Sequence, residues 1–189
     1  ERDEIEDFLG IDLKQPTVLF TLHPTPLDME ATARESLGSL DALARLFKRG
    51  VQVIATDPNS DHGSDQIRAG LNNLARQLGP RFVLRKSLGR RVFHGLLALG
   101  GTPGFRLVLV GNSSAGMKEA GAFNCPCVNV GQRQRGRLRG YNVLDVGSNS
   151  HEIVSGAEAS LFDDTYRSKI RKGHHPYTGR HVGQTVADV

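Results

Sequence analysis

Arg106-Leu107-Val108-Leu109-Val110-Gly111-Asn112-Ser113-Ser114-Ala115 passes from an unbroken apolar run through one glycine to a short polar stretch. A strand that is apolar on consecutive residues has no face to give to water, so it needs cover on both sides, the condition met by a parallel sheet wrapped in helices. Gly111 permits a sharp turn, and Ser113 and Ser114 stand where a helix beginning near Ala115 would present free backbone N–H groups. The stretch is therefore read as a strand-to-helix connection, with polar groups gathered at the strand's carboxyl end.

The same grammar extends in both directions. Short runs rich in Val, Ile and Leu predict strands over 18–22, 51–55, 81–84, 106–110 and 128–130, with a sixth over 143–146. Between them, residues 28–48 place Ala31, Leu37, Leu40, Leu43, Ala44 and Phe47 on one helical stripe, and residues 65–78 do so with Ile67, Leu71, Leu74 and Leu78. Gly50 and Gly79-Pro80 punctuate helix ends, and Gly100-Gly101-Thr102-Pro103-Gly104 reads as a slightly long connecting loop. The fold class is α/β, a Rossmann-like open parallel sheet flanked by helices. At 189 residues, without a linker or internal repeat, one domain is expected. The end of the polar stretch 173–189 is expected to pack poorly.

Composition narrows the function. The formal charge of +4 and pI near 9.3 are compatible with an anionic ligand, small or polymeric. Tryptophan is absent and aromatics are few, so stacking platforms for single strands are not evident. Cys125 and Cys127 flank Pro126 too closely for an ordinary bridge and lack histidines at zinc-ligand spacing, which predicts buried free thiols in a reducing compartment. No apolar stretch approaches the roughly 20 residues of a membrane span, and the acidic opening 1–7 does not resemble a secretory signal, so a soluble, cytoplasmic protein is expected. GxGxxG, P-loop lysine and Gly-x-Ser-x-Gly motifs are missing, which argues against dinucleotide, ATP and serine-hydrolase readings.

Ligands of an open parallel sheet bind outside the carboxyl ends of its strands. Those ends carry His23-Pro24, then Asn59, Asp61 and Gly63, then Ser87, then Gly111-Asn112-Ser113-Ser114, then Gly131-Gln132-Arg133. Ser113 and Ser114 suit diphosphate oxygens, assisted by a helix dipole, although either serine would also serve as a plain helix cap. Glu119, about one turn on, is placed to accept hydrogen bonds from a ribose diol; solvation, or interaction with the helix N-terminus, is its ordinary role. Pro24 biases His23 towards extended backbone at the crevice, while Asn59 and Asp61 lie in a composition that turns favour locally. Arg133, Arg135, Arg137 and Arg139 alternate, so in extended chain they would line one side and meet a polyanion or a pyrophosphate. His174-His175 lacks a second ligand pair, and no metal site is expected.

The run from Val110-Gly111-Asn112-Ser113-Ser114-Ala115-Gly116-Met117-Lys118-Glu119-Ala120 through Phe123, Pro126, Val128-Asn129-Val130-Gly131, Arg133-Gln134, Gly136-Arg137 and Asn142-Val143 closely resembles the C-terminal half of hydrolysing UDP-N-acetylglucosamine 2-epimerases. Leu22-His23-Pro24 fits the same pattern, and the likeness extends from the approach segment 6–13 to Pro176-Tyr177. It is closer to the branch that makes free N-acetylmannosamine for sialic-acid-type sugars than to the non-hydrolysing branch.

That resemblance implies a glycosyltransferase-B-like enzyme of two Rossmann-like domains with the UDP-sugar in the cleft between them. Ser113, Ser114, Glu119 and Arg133 would bind UDP, with Asn59, His23 and the Ser87 backbone lining the site. UDP would leave by anti elimination through a 2-acetamidoglucal, which is then hydrated with inversion at C2, and His23 would stand beside the departing diphosphate. The N-terminal domain expected to carry the acidic residues that handle the C2 proton has no counterpart in these 189 residues, nor has the final crossover helix. After Pro-Tyr the family often has an acidic Gly-Asp-Gly-Asn-like stretch, whereas this chain has Thr178-Gly179-Arg180-His181.

The expected partners are UDP, UDP-N-acetylglucosamine and the N-terminal domain, with neither nucleic acid nor membrane among them and self-association left open. No redox cofactor or structural metal is expected. Two rival readings stand beside this one: the UDP-sugar-binding half of a glycosyltransferase, and a basic nucleic-acid-binding module centred on residues 133–139, with Arg133, Arg135, Arg137 and Arg139.

Overall fold

The structure, a computed structural model, describes residues 2–177. In chain order its elements are α1 (Arg2–Leu9), β1 (Thr17–Thr21), α2 (Met29–Lys48), β2 (Gln52–Thr56), α3 (Ser64–Leu78), β3 (Phe82–Arg85), α4 (Gly89–Gly101), β4 (Leu107–Gly111), α5 (Ser114–Lys118), a 3-10 turn (Ala120–Phe123), β5 (Cys127–Val130), β6 (Val143–Val146), α6 (Ser150–Phe162) and α7 (Asp164–Lys172). All strand pairs are parallel, and the sheet order is β3-β2-β1-β4-β5-β6. The chain builds outward from β1 to one edge, then returns to lay β4 on β1's other side. That reversal opens a crevice at the carboxyl ends of β1 and β4, where ligands of such sheets bind.

Unbroken apolar strands are explained by two cores, one on each face. Val18, Phe20, Val53, Val108, Val110 and Val128 pack against Leu43 and Leu46 of α2, Ile67 and Leu71 of α3, and Ile153 and Ala157 of α6. The alternate residues Leu19, Ile54, Leu107, Leu109 and Cys127 pack against Ile5 and Leu9 of α1, Leu96 and Leu97 of α4, and Met117 of α5. Each such buried aliphatic side chain contributes roughly 1.5–3 kcal/mol of hydrophobic stabilisation.

The six predicted strands are present, with ends displaced by about one residue. β1 and β2 begin on Thr17 and Gln52, both buried. Gln52 tolerates this because its Nε2 donates to the Asp12 carbonyl at 2.7 Å. Asp28 caps α2 rather than joining it, its carboxylate accepting the Ala31 N–H at 2.7 Å.

Leu37 is 65% exposed, against its predicted place on the buried stripe. The first turns of α2 bury Thr32, Glu35, Ser36 and Ser39 instead, and the apolar stripe takes over only at Ala42. Gly100 and Gly101 end α4 rather than opening a loop. Helices α1, α4, α6 and α7 lie beyond the two stretches, 28–48 and 65–78, whose apolar stripes predict helices. In the polar end stretch, His175 is buried and its Nε2 lies 3.1 Å from the Met117 carbonyl; residues 178–189, including Thr178-Gly179-Arg180-His181, lie outside the described residues. No helix among the described residues is long and apolar enough to cross a membrane.

Candidate functional site

β1 and β4 run in register to Thr21 opposite Gly111. Gly111 has φ +136°, and a Cβ there would lie 2.0 Å from the Thr21 carbonyl oxygen, so only glycine lets the chain turn this close to its neighbour. Asn112, Ser113 and Ser114 are thereby delivered to the rim. Ser113 is the N-cap of α5, its Oγ accepting the Ala115 N–H at 3.3 Å, and Ser114 is the first helical residue. α5 has only 5 residues. The dipole of so short a helix is small, and whatever grips an anion here relies on hydroxyls, amides and nearby cations.

Two clusters meet at this turn. On one side Ser87, Ser113 and Glu119 share a cavity of about 550 Å³ with Thr21, Asp57 and His94. Glu119 makes no capping bond to the 3-10 turn it precedes; its Oε2 lies 2.8 Å from His94 Nε2, and both side chains are half-exposed. His94 also stacks at a tilt against Phe123, ring centres 5.4 Å apart. The Ser87 hydroxyl accepts the Gly89 N–H at 3.2 Å, opening α4.

On the other side, His23, Asn59 and Arg133 gather around Asn112, which bonds to His23 and to Arg133, while Asn59 bonds to His23. Asn59 donates its backbone N–H to His23 Nδ1 at 3.1 Å, which leaves the neutral imidazole's proton on Nε2. Burial, reinforced by the Arg133 charge and opposed by Asp61, holds His23 below the ordinary histidine value. Arg133 donates from Nε to the Pro24 carbonyl at 3.2 Å and from Nη1 to the Asn112 carbonyl at 3.4 Å. The Asn59 side chain donates to Asp61 at 2.5 Å, as its local turn composition predicts.

Arg133, Arg135, Arg137 and Arg139 do not form the expected single-sided row. Residues 132–137 fold into successive turns, with Arg135 N–H to the Gln132 carbonyl and Arg137 N–H to the Gln134 carbonyl. Arg139 pairs with Asp145 at 2.7 Å, whereas Arg133 goes to the rim. Gly131 and Gly136, both at positive φ, set these turns and defeat the two-residue period. His94, Glu35, Asn112 and Gln134 are site residues to which the sequence assigned no role. Asn112 and Gln134 sat inside quoted motifs, but His94 and Glu35 join the site only through the packing of α4 and α2.

A larger open hollow of about 1000 Å³ lies along α7, lined by Tyr141, Asp164, Lys169 and Lys172, with none of the strand-end residues. Among the described residues no group of three or more His, Cys, Asp or Glu could hold a metal ion. Cys125 and Cys127 are buried free thiols, and burial pushes Cys125 up to about 12.

Strand order, flanking helices and a crevice at the switch point define a doubly wound, Rossmann-like domain, which superposes on one half of glycosyltransferase-B-like structures. The sequence matches the UDP-N-acetylglucosamine 2-epimerase family along residues 1–189, and the chain belongs to that family. It is 31% identical over 160 residues to the UDP-N,N'-diacetylbacillosamine 2-epimerase (hydrolyzing) of Legionella pneumophila, a match covering 85% of this chain and 40% of that protein. The fold superposes with a TM-score of 0.71 on UDP-GlcNAc 2-epimerase from Neisseria meningitidis bound to UDP-GlcNAc, at 15% identity, covering 99% of this chain and 48% of that one. It superposes at 0.63 on Escherichia coli ADP-heptose LPS heptosyltransferase II, also at 15% identity, covering 87% and 52%. The chain spans less than half the length of the curated relatives it matches.

Proposed function

We propose that this chain is the C-terminal, UDP-binding domain of a hydrolysing UDP-N-acetylglucosamine 2-epimerase, which converts UDP-N-acetylglucosamine and water to N-acetylmannosamine and UDP. The observation that carries the reading is the meeting of the Ser87, Ser113 and Glu119 cavity with the His23, Asn59 and Arg133 group at one turn, Asn112-Ser113. In this reading the Glu119 carboxylate accepts from the ribose diol, and the Ser87 backbone lines the nucleoside side. Ser113, Ser114 and the Arg133 guanidinium take the diphosphate. A bidentate guanidinium is well suited to two phosphate oxygens.

The chemistry follows from the charge that must be received. A base on the companion domain removes the C2 proton, the C1–O bond to UDP breaks, and the electron pair leaves with the diphosphate. His23, neutral and carrying its proton on Nε2, donates to that developing charge, and Arg133 beside it adds a fixed positive one. Water then adds to the glycal, inverting C2. The base belongs to the N-terminal domain, so this chain alone binds UDP but does not turn over UDP-N-acetylglucosamine. The heptosyltransferase likeness concerns the fold alone; family membership favours the epimerase over the glycosyltransferase reading.

Calorimetric titration of the chain with UDP tests this. Binding is expected, with Arg133→Ala losing about 1.5–3 kcal/mol and Ser114→Ala weakening it less. No heat with UDP, or unchanged affinity in Arg133→Ala, contradicts the assignment. Joined to its companion domain, the protein should release free N-acetylmannosamine from UDP-N-acetylglucosamine.

A further inference from the structure

Asn112 is fully buried, and its polar atoms are occupied in a directed way. Its Oδ1 accepts the His23 N–H at 2.7 Å, and its Nδ2 donates to the His23 carbonyl at 2.8 Å. β1 and β4 cease to pair at Thr21 and Gly111, and the Asn112 side chain then acts as a strand would, bonding both backbone groups of one residue. The Asn112 carbonyl meanwhile accepts from Gln134 Nε2 at 2.7 Å and from Arg133 Nη1. One residue thus touches both His23 and Arg133.

Behind it stands Glu35 of α2, only 4% exposed. One carboxylate oxygen accepts from Asn112 Nδ2 at 3.0 Å and the other from the Gln132 N–H at 3.4 Å. Gly131, at φ +70°, makes room for it: a Cβ there would lie 1.8 Å from Glu35 Oε1. The carboxylate fixes the sense of the Asn112 amide, because a reversed amide would set its oxygen against both Glu35 and the His23 carbonyl and its NH2 against the His23 N–H. It also ties the loop after β5, which carries Arg133, to the loop after β4. Burial raises the Glu35 carboxyl above its ordinary value, with Asp28 adding to the rise and both hydrogen bonds and Arg34 opposing it.

We propose that Glu35 and Asn112 are positioning residues: Glu35 orients the Asn112 amide, and Asn112 sets His23 and Arg133 relative to each other at the leaving-group end of the site. The clamp stands on geometry alone; what it serves rests on the function proposed above. Releasing the His23 backbone breaks the alignment of Nδ1 with the Asn59 N–H and opens the ring to water. His23 should then titrate nearer the ordinary 6.5.

The test is an NMR pH titration of the His23 imidazole in the ligand-free chain, comparing wild type with Asn112→Ala and Glu35→Gln. Methyl dispersion reports whether each variant is folded. In Glu35→Gln the new carboxamide has one oxygen for two donors, so its NH2 faces either the Asn112 NH2 or the Gln132 N–H, and the tie between the two loops that carry Asn112 and Arg133 is broken although the side chain keeps its shape. Both variants are expected to move the His23 midpoint upward. Loss of the Glu35 charge alone would move it downward, so the sign separates positioning from electrostatics. Should Asn112→Ala fail to fold, Glu35→Gln carries the test. An unchanged or lowered midpoint in folded Glu35→Gln overturns the proposal. A parallel UDP titration should show roughly tenfold weaker binding in both variants. If wild type ignores UDP, the functional reading fails while the His23 midpoint still decides the clamp; if wild type binds and both variants match it, the clamp's service to the diphosphate end is overturned, while its hold on His23 is still decided by the midpoint.

Discussion

His23 shows how one side chain takes its chemistry from its neighbours. Its ring is half-buried beside Arg133, and both influences favour the neutral form. A histidine held below its unfolded value binds protons more readily in the unfolded chain, so its contribution to stability is complete above about 6.5 and is lost as pH falls through the lower folded value. Glu35, held above its ordinary value, acts in the opposite sense, its contribution being lost as pH rises. Thermal unfolding of His23→Asn against wild type isolates the first effect: wild type should lose more Tm between pH 7 and pH 5, and parallel curves would contradict it. Glu119 supports a second prediction at this scale. If its carboxylate receives the ribose diol, the preference for UDP over 2′-deoxy-UDP should shrink in Glu119→Ala, the ribose-dependent part being about 1.5–3 kcal/mol. An undiminished preference would assign Glu119 to His94 alone.

At the level of elements, ends are made by single residues. Asp28 holds the start of α2, the helix that carries Glu35, and Asp28→Ala should cost about 1 kcal/mol, lowering Tm by roughly 2–4 °C. An unchanged Tm in thermal unfolding would show the cap to be idle. Strands were legible because apolar residues on consecutive positions admit few other readings, and Gly111 followed by serines marked the site turn directly. Helices were less so. α4 carries Gly89, Gly95, Gly100 and Gly101 and α7 is strongly charged, so propensity and periodicity both understate them, and tertiary packing supplies the difference. His94 was hidden for that reason, its partner Glu119 being 25 residues away and reachable only once α4 is in place. The arginine row was misread because a period of two requires extended chain, and the glycines at 131 and 136 turn it instead. Glu35 gave no signal: a carboxylate in an amphipathic helix ordinarily faces water, and only the burial of α2's first turns against the loops reverses this.

For the molecule as a whole, two buried cores on one continuous sheet make the described residues a unit able to hold its rim in place without a disulfide. Cys125 and Cys127 lie within one of those cores, so a thiol reagent should label neither until the chain is denatured, and labelling of the native protein would show that core to be open. In the proposed function the carboxyl ends of β1 and β4 receive one nucleoside diphosphate. Amide-resolved NMR during a UDP titration tests it most directly. The amides of Ser87, Asn112, Ser113, Ser114, Glu119 and Arg133 are expected to shift together along one saturable curve; shifts confined to the hollow along α7, or scattered without saturation, would show that the nucleotide does not bind at these strand ends.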